Sequence, residues 1–194
     1  ELMLLLEQVR QPLLQAGSVL EFASGHGRFT RHLVKAIGAE RVTVSDVVRD
    51  AVAFSQSTFG VTGLVSHAQP EAVRWPRTYE LVFVLSLFSH LPRGSWSRWL
   101  ARLWDAVAPG GLLVFSTHGV EAARRAGVAL DDSGYFFAAS SESNAIDAQE
   151  YGTAFTSEAF VRQQVGALMG EAALAHFAPV WFWNHQDAWV LRRP

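Results

Sequence analysis

Short apolar or β-branched runs alternate with longer amphipathic stretches along most of this chain, and that rhythm constrains the fold more than any other feature. Strand, helix, strand is the repeating unit of a parallel sheet covered by helices. Residues 1–11 read as an entry helix ended near Pro12, within an entry segment of residues 1–16. Ser18 to Ala23 reads as the first strand, and Arg28 to Ile37 as a helix whose Phe29, Leu33, Val34 and Ile37 share one face. A second strand is expected at Arg41 to Ser45, a helix at about Val48 to Thr58, and a weak third strand at Gly63 to Ser66. The unbroken run Leu81 to Leu85 predicts a strand buried on both faces. A helix over Ser95 to Val107 is stopped by Pro109-Gly110-Gly111, and a fifth strand follows at Leu112 to Ser116. Between Gly119 and Thr156 the rhythm lapses into Ser, Gly, Ala and Asp, which predicts an irregular segment over residues 119–156 facing substrate or acting as a lid. It resumes with a helix from Ser157 to Met169 and two strands at about Ala172 to Ala178 and Ala188 to Arg192. The expectation is one domain over residues 1–194.

Composition agrees with that economy. In 194 residues, 49% of them hydrophobic, one core can bury roughly 70% of the surface of the unfolded chain. The absence of cysteine excludes disulfides, thiolate metal sites and a cysteine nucleophile. A net charge of -2 lacks the basic excess that displaces counterions from phosphates, so no nucleic-acid partner is expected. Fifteen arginines stand against a single lysine, Lys35, which reads as a compositional bias of the genome. The longest apolar stretch, Leu81 to Phe88 with Ser86 inside it, falls far short of the roughly 20 residues of a membrane helix. No membrane contact and a cytoplasmic location are therefore expected. The chain opens on Glu1 rather than Met, which suggests a processed chain or a domain cut from a larger multidomain polypeptide.

The most informative stretch is Val19-Leu20-Glu21-Phe22-Ala23-Ser24-Gly25-His26-Gly27, where the first strand turns into the first helix. Ligands of open α/β sheets bind outside the carboxyl ends of the strands, where strand order reverses. Glycines there permit positive φ and close approach of a ligand. A dinucleotide fingerprint would need a third glycine at position 30, which is Thr, and would not want Glu21 beside a pyrophosphate. A tight turn with no ligand is the structural alternative. Asp46 closes the second strand, 21 positions after Gly25. A carboxylate there can accept hydrogen bonds from both hydroxyls of a ribose, or it can simply cap the helix that follows.

These residues together resemble the first motif of class I S-adenosylmethionine-dependent methyltransferases, an acidic residue followed by three alternate glycines: here Glu21, then Ala23, Gly25 and Gly27. Ala23 departs from the pattern by one methyl group. The resemblance continues through Tyr79 to Pro92, a buried strand ending in Ser89-His90-Leu91-Pro92, and through Ala108-Pro109-Gly110-Gly111 into the fifth strand. It covers roughly residues 17 to 118 and implies a Rossmann-like, seven-stranded, mostly parallel sheet with helices on both faces and the last strand antiparallel. It also implies S-adenosyl-L-methionine as cofactor, with Glu21 fixing its amino acid end, Ala23, Ser24, Gly25 and Gly27 passing close to it, Asp46 on the ribose and Val47 beside the adenine. The family's usual acidic residue after the third strand is missing. Ser66, His67 and Ala68 occupy that region, and His67 is the expected contact; Ser86 is expected to touch cofactor as well.

Methyl transfer from a sulfonium requires alignment of the acceptor and, for a hydroxyl, removal of its proton. The candidate bases are His90 and His118, after the fourth and fifth strands, because imidazole titrates near neutrality; His26 lies in the glycine turn. His90 in its Ser-His-Leu-Pro turn could equally be structural. Convergence of His90, His118 and His185 would permit a metal, although none is expected. Tyr135, Phe136, Ser141, Glu142 and Tyr151 could line an acceptor pocket. Trp96, Trp99 and Trp104, and Trp181, Trp183 and Trp189, read mainly as core, and Asn184 to Asp187 as a hairpin turn. The expected activity is methylation of a small or glycan-like acceptor, chiefly at oxygen. The alternatives are an NAD(P)-dependent reductase and a catalytically inactive S-adenosylmethionine-binding module of a larger protein.

Overall fold

A computed structural model describes residues 1–139 and 151–194. Its centre is a seven-stranded sheet of order β3-β2-β1-β4-β5-β9-β8, built from β1 (Val19–Phe22), β2 (Val42–Asp46), β3 (Thr62–Val65), β4 (Tyr79–Val84), β5 (Val107–Thr117), β8 (Leu174–Phe182) and β9 (Gln186–Arg192). The pairs joining β3, β2, β1, β4 and β5 are parallel, and β9 lies antiparallel between β5 and β8. In this sheet only the last strand of the chain runs against the others, as the family resemblance implies.

The two-residue period of the strands sorts the core onto two faces. Leu20 and Phe22 of β1 and Val82 and Val84 of β4 face a layer holding Trp96, Trp99 and Leu100 of α4 (Arg93–Asp105) and Phe160 and Val165 of α6 (Glu158–Met169). Val19, Val44, Leu81 and Phe83 face the other way, against Leu5 and Leu6 of α1 (Leu2–Gln8) and Leu33 and Ile37 of α2 (Thr30–Ile37). A third helix, α3 (Arg49–Phe59), packs along β2 and β3. β1 and β4 are buried from both sides because each is covered by helices above and below, which is why Leu81 to Val84 reads as an unbroken apolar run.

Two boundaries differ from expectation. The helix expected at Ser95 to Val107 begins at Arg93 and ends at Asp105, because Pro92 fixes the chain just before its first turn. β5 begins at Val107, so the Pro109-Gly110-Gly111 turn lies inside the strand as an irregularity in its pairing with β4.

The larger correction concerns residues 119–156. Much of this segment is regular: α5 (Val120–Arg125) is followed by a two-stranded antiparallel ribbon of β6 (Tyr135–Ala138) and β7 (Thr153–Thr156). Short elements with mixed composition leave little periodicity, so the ribbon is invisible as a pattern. It is tied down by tertiary bonds: Ala154 N donates to Ser89 O at 2.7 Å and Thr156 N to His118 O at 2.8 Å. Tyr135 is buried, its hydroxyl donating to Leu91 O at 2.6 Å, and Phe136 packs with Phe155 on Ala122 and Ala123. These two aromatics hold the ribbon to the sheet rather than lining a pocket; the expected contacts Ser141 and Glu142 fall outside the described residues. Trp96, Trp99 and Trp189 are buried as expected, while Trp183 is 51% exposed.

Candidate functional site

The first strand and the second end side by side, Phe22 paired with Ser45, so the glycine turn and Asp46 meet. Asp46 accepts a hydrogen bond from Gly25 N at 2.8 Å through Oδ2 and from Val48 N at 2.9 Å through Oδ1. The carboxylate therefore pins the turn and caps the entry to α3 together, and each oxygen retains a lone pair for a ligand.

Three residues of the turn lie in the left-handed region: Ala23 at φ 58°, Gly25 at 51° and Gly27 at 76°. The two glycines do different work. A Cβ on Gly25 would meet nothing within 4 Å, so space lies open beside it, whereas a Cβ on Gly27 would collide with the Phe59 ring of α3. Gly25 borders open space and Gly27 makes room for a helix. Ala23 holds positive φ with a side chain, a conformation costing on the order of 1–2 kcal/mol. Ser86, at the end of β4, does the same at φ 64°. Strain of this kind persists where surrounding structure over-determines the backbone, and it concentrates at ligand sites.

Both strained residues line one cavity of about 390 Å³ at the carboxyl ends of β1, β2 and β4. Gly25, Asp46, Val47, His67 and His90 also line it. Glu21, Ser24, Gly27 and His118 do not line it. Glu21 is buried behind the turn on the α2 face, where Thr30 Oγ1 donates to its Oε2 at 2.6 Å. Burial raises its pKa to about 7, the Thr30 bond opposing and the Asp46 charge adding to the rise. It lies in the support of the turn rather than in the cavity wall. Ser24 N donates to Ser45 O, joining the turn to β2. His26 is exposed, against Phe54.

At the other end of the cavity, His90 and Tyr151 lie face to face, ring centroids 4.6 Å apart and planes 11° from parallel. His90 Nδ1 is 2.7 Å from Gly152 O. A carbonyl accepts only, so Nδ1 carries the proton, and in the neutral ring Nε2 holds the lone pair. Trp99 and Leu91 complete this wall.

His118 stands behind it, 6.1 Å from the His90 ring and 4.9 Å from that of His185. Its pKa is pushed down to about 4, first by burial and then by the neighbouring His185 and His90. Its Nε2 is 3.3 Å from Gln186 Nε2, a donor, so the ring lone pair is already engaged. Such a setting disfavours the protonated ring and does not suit a base working near neutrality. The three histidines thus converge as the strand ends allowed, but among the described residues no three His, Asp or Glu side chains are placed to hold a metal ion.

Sequence reading missed Gln186, which it assigned to a hairpin turn. The turn is there, between β8 and β9, but the Gln186 side chain is buried. Ser116 Oγ donates to its Oε1 at 2.6 Å and its Nε2 donates to Ser86 Oγ at 2.8 Å, while Ser86 N donates to Ser116 Oγ at 2.8 Å. One amide thus fastens the strained Ser86 backbone to β5 and His118. Nothing in the local sequence distinguishes such a residue from an exposed turn polar. Trp99 was missed as a lining residue because one helical period carries both core and cavity contacts.

With this geometry in hand, the comparisons with known proteins are decisive for the fold. Residues 19–111 match the family model described as a methyltransferase domain. The chain has the class I methyltransferase fold. Among solved structures, an S-adenosylmethionine-dependent methyltransferase from Mesorhizobium loti matches with a TM-score of 0.65 and 12% identity, over 96% of each chain. The N-methyltransferase NodS from Bradyrhizobium japonicum WM9, in complex with S-adenosyl-L-homocysteine, matches with a TM-score of 0.60 and 15% identity, over 97% of this chain and 84% of that one. A Burkholderia thailandensis 1,6-didemethyltoxoflavin-N1-methyltransferase matches with a TM-score of 0.59 and 18% identity, over 92% and 71%. No curated protein sequence matches this chain. No helix among the described residues is long and apolar enough to cross a membrane.

Proposed function

We propose that this chain is an S-adenosylmethionine-dependent methyltransferase acting on a hydroxyl of a small-molecule acceptor in the cytoplasm. The observation that carries the reading is the Gly25–Asp46 pair, an open space beside a glycine at positive φ with a backbone-fixed carboxylate at its rim. This arrangement fits an adenosyl ligand without phosphates: Asp46 has lone pairs that would take the two ribose hydroxyls, Val47 and His67 would flank the adenine, and Ala23 and Ser86 border the rest of the cavity. When bound, the cofactor supplies a methyl group already activated on a sulfonium.

The chain's own part is alignment and proton removal. Ser86, held by Ser116 and Gln186, sets the floor between the two ends of the cavity. His90, its Nδ1 proton committed to Gly152 O, accepts the hydroxyl proton at Nε2. Relatives of the fold named above act on small molecules such as 1,6-didemethyltoxoflavin, and the net charge of -2 favours an acceptor of that size over a nucleic acid.

Calorimetric titration tests the reading. S-adenosyl-L-homocysteine should bind the folded protein and NAD(P) should not. Asp46→Ala, which removes the ribose acceptors and orphans Gly25 N and Val48 N, should weaken that binding by about 100-fold. Binding of NAD(P) in preference would replace this function with a reductase.

A further inference from the structure

The cavity that holds the cofactor also carries information about the acceptor, and this step rests on the function just proposed. We infer that the acceptor is an uncharged, flat aromatic hydroxyl compound, bound against the His90–Tyr151 pair. Two independent observations lead there.

The first is shape. His90 and Tyr151 stack face to face at the cavity wall, and Trp99 and Phe22, themselves in ring contact at 5.1 Å, stand in the same lining. Aromatic faces and edges prefer other flat rings in offset or edge-on contact. A saturated ring or a sugar, thicker and carrying hydroxyls on both faces, would meet Leu85, Leu87 and Leu91 with polar groups unpaired.

The second is charge. The described lining contains no Lys or Arg, and its only carboxylate is Asp46, at the cofactor end. An acceptor with its own carboxylate or phosphate would lose water on entry and find no positive partner. Aromatic hydroxyls also suit the machinery, since they ionise far more readily than aliphatic ones. As the acceptor oxygen gains its bond to the methyl carbon, the carbon–sulfur bond breaks and the hydroxyl proton passes to His90 Nε2.

The test uses the protein loaded with S-adenosyl-L-homocysteine and three ligands of one skeleton: 2-naphthol, 6-hydroxy-2-naphthoate and decahydro-2-naphthol. 2-Naphthol should bind at least tenfold more tightly than either of the others. Tyr151→Leu should weaken naphthol binding at least fivefold relative to Tyr151→Phe, which retains the ring. Equal or tighter binding of the naphthoate or the saturated alcohol overturns the inference, as does a loaded protein that ignores naphthol. The ligand series needs no variant, so a misfolded Tyr151→Leu protein does not protect the idea. Failure to bind S-adenosyl-L-homocysteine at all would remove the underlying function as well, and that outcome is distinct from the first two.

Discussion

The two halves of the cavity are built from different materials. The half at the ends of β1 and β2 is made of backbone: a turn at positive φ, two N–H groups on one carboxylate, and a glycine with space beside it. The half at the ends of β4, β5 and β9 is made of side chains from distant parts of the chain, with Ser86, Ser116, Gln186, His90 and Tyr151 meeting across sequence separations of up to 100 residues. A backbone site is set by a few contiguous residues and suits a ligand that never changes. A side-chain site can be rewritten one residue at a time without disturbing the turn, and it suits the part of the reaction that differs between enzymes.

If the division is real, His90→Gln should lower kcat by about 100-fold or more while affinity for S-adenosyl-L-homocysteine changes much less, as read by turnover and calorimetry on one preparation. Equal losses in both would mean that the halves are not separable.

The two halves also carry opposite pH signatures. Glu21, behind the turn, has its pKa raised from 4.5 to about 7, so its contribution to stability is complete below pH 4.5 and is lost as pH rises through 7. His118 has its pKa lowered from 6.5 to about 4, so its contribution is complete above pH 6.5 and is lost as pH falls through 4. Glu21→Gln should therefore gain stability relative to the parent between pH 5 and 7.5, by on the order of 2–3 kcal/mol. His118→Gln should gain in the acid direction, by less because the ring is partly solvated. Thermal melts across pH 4 to 8 would reveal both slopes; parallel slopes would contradict the assignment.

A finer test lies within the backbone half. Gly25→Ala adds a methyl group to open space and should cost cofactor affinity about tenfold, with only about 1 kcal/mol of stability from its positive φ. Gly27→Ala drives a methyl group into Phe59 and should cost about 1–3 kcal/mol of stability. Denaturant melts and cofactor titrations of the two variants should cross over.

The smallest expected effect is in the side-chain half. Gln186→Leu frees the Ser86 and Ser116 hydroxyls and should raise the KM for acceptor severalfold, with about 1–2 kcal/mol of destabilisation. An unchanged KM would demote Gln186 to a purely structural role.

The same division explains what could be read from the residues alone. The alternation of strands and helices, the turn and Asp46 were legible because each leaves a local trace: a two- or 3.6-residue period, a glycine at a strand end, an acid at the next; the single antiparallel strand came only with the family resemblance. Ala23 was legible as a departure from pattern, and its φ of 58° shows that the backbone kept the pattern's conformation with a methyl group attached. Gln186 and Trp99 were not legible, because their importance comes from what they meet in space. The β6–β7 ribbon was missed for a related reason, since it is held by bonds to Ser89 and His118 rather than by its own periodicity. His118 was chosen on chemistry and placed correctly at a strand end, but burial and two neighbouring rings lower its pKa to about 4.

The position of β9 has a consequence in time. A chain made from its amino terminus synthesises β8 before β9, yet β9 lies between β5 and β8. Until residues 186–192 emerge, β5 presents an open edge and β8 has no partner in the sheet. The glycine turn can assemble early around its own neighbours, but Ser86 waits for Gln186. A nascent chain stalled short of residue 186 would hold its cofactor half before it held the means to use it, with an unpaired strand edge inviting aggregation.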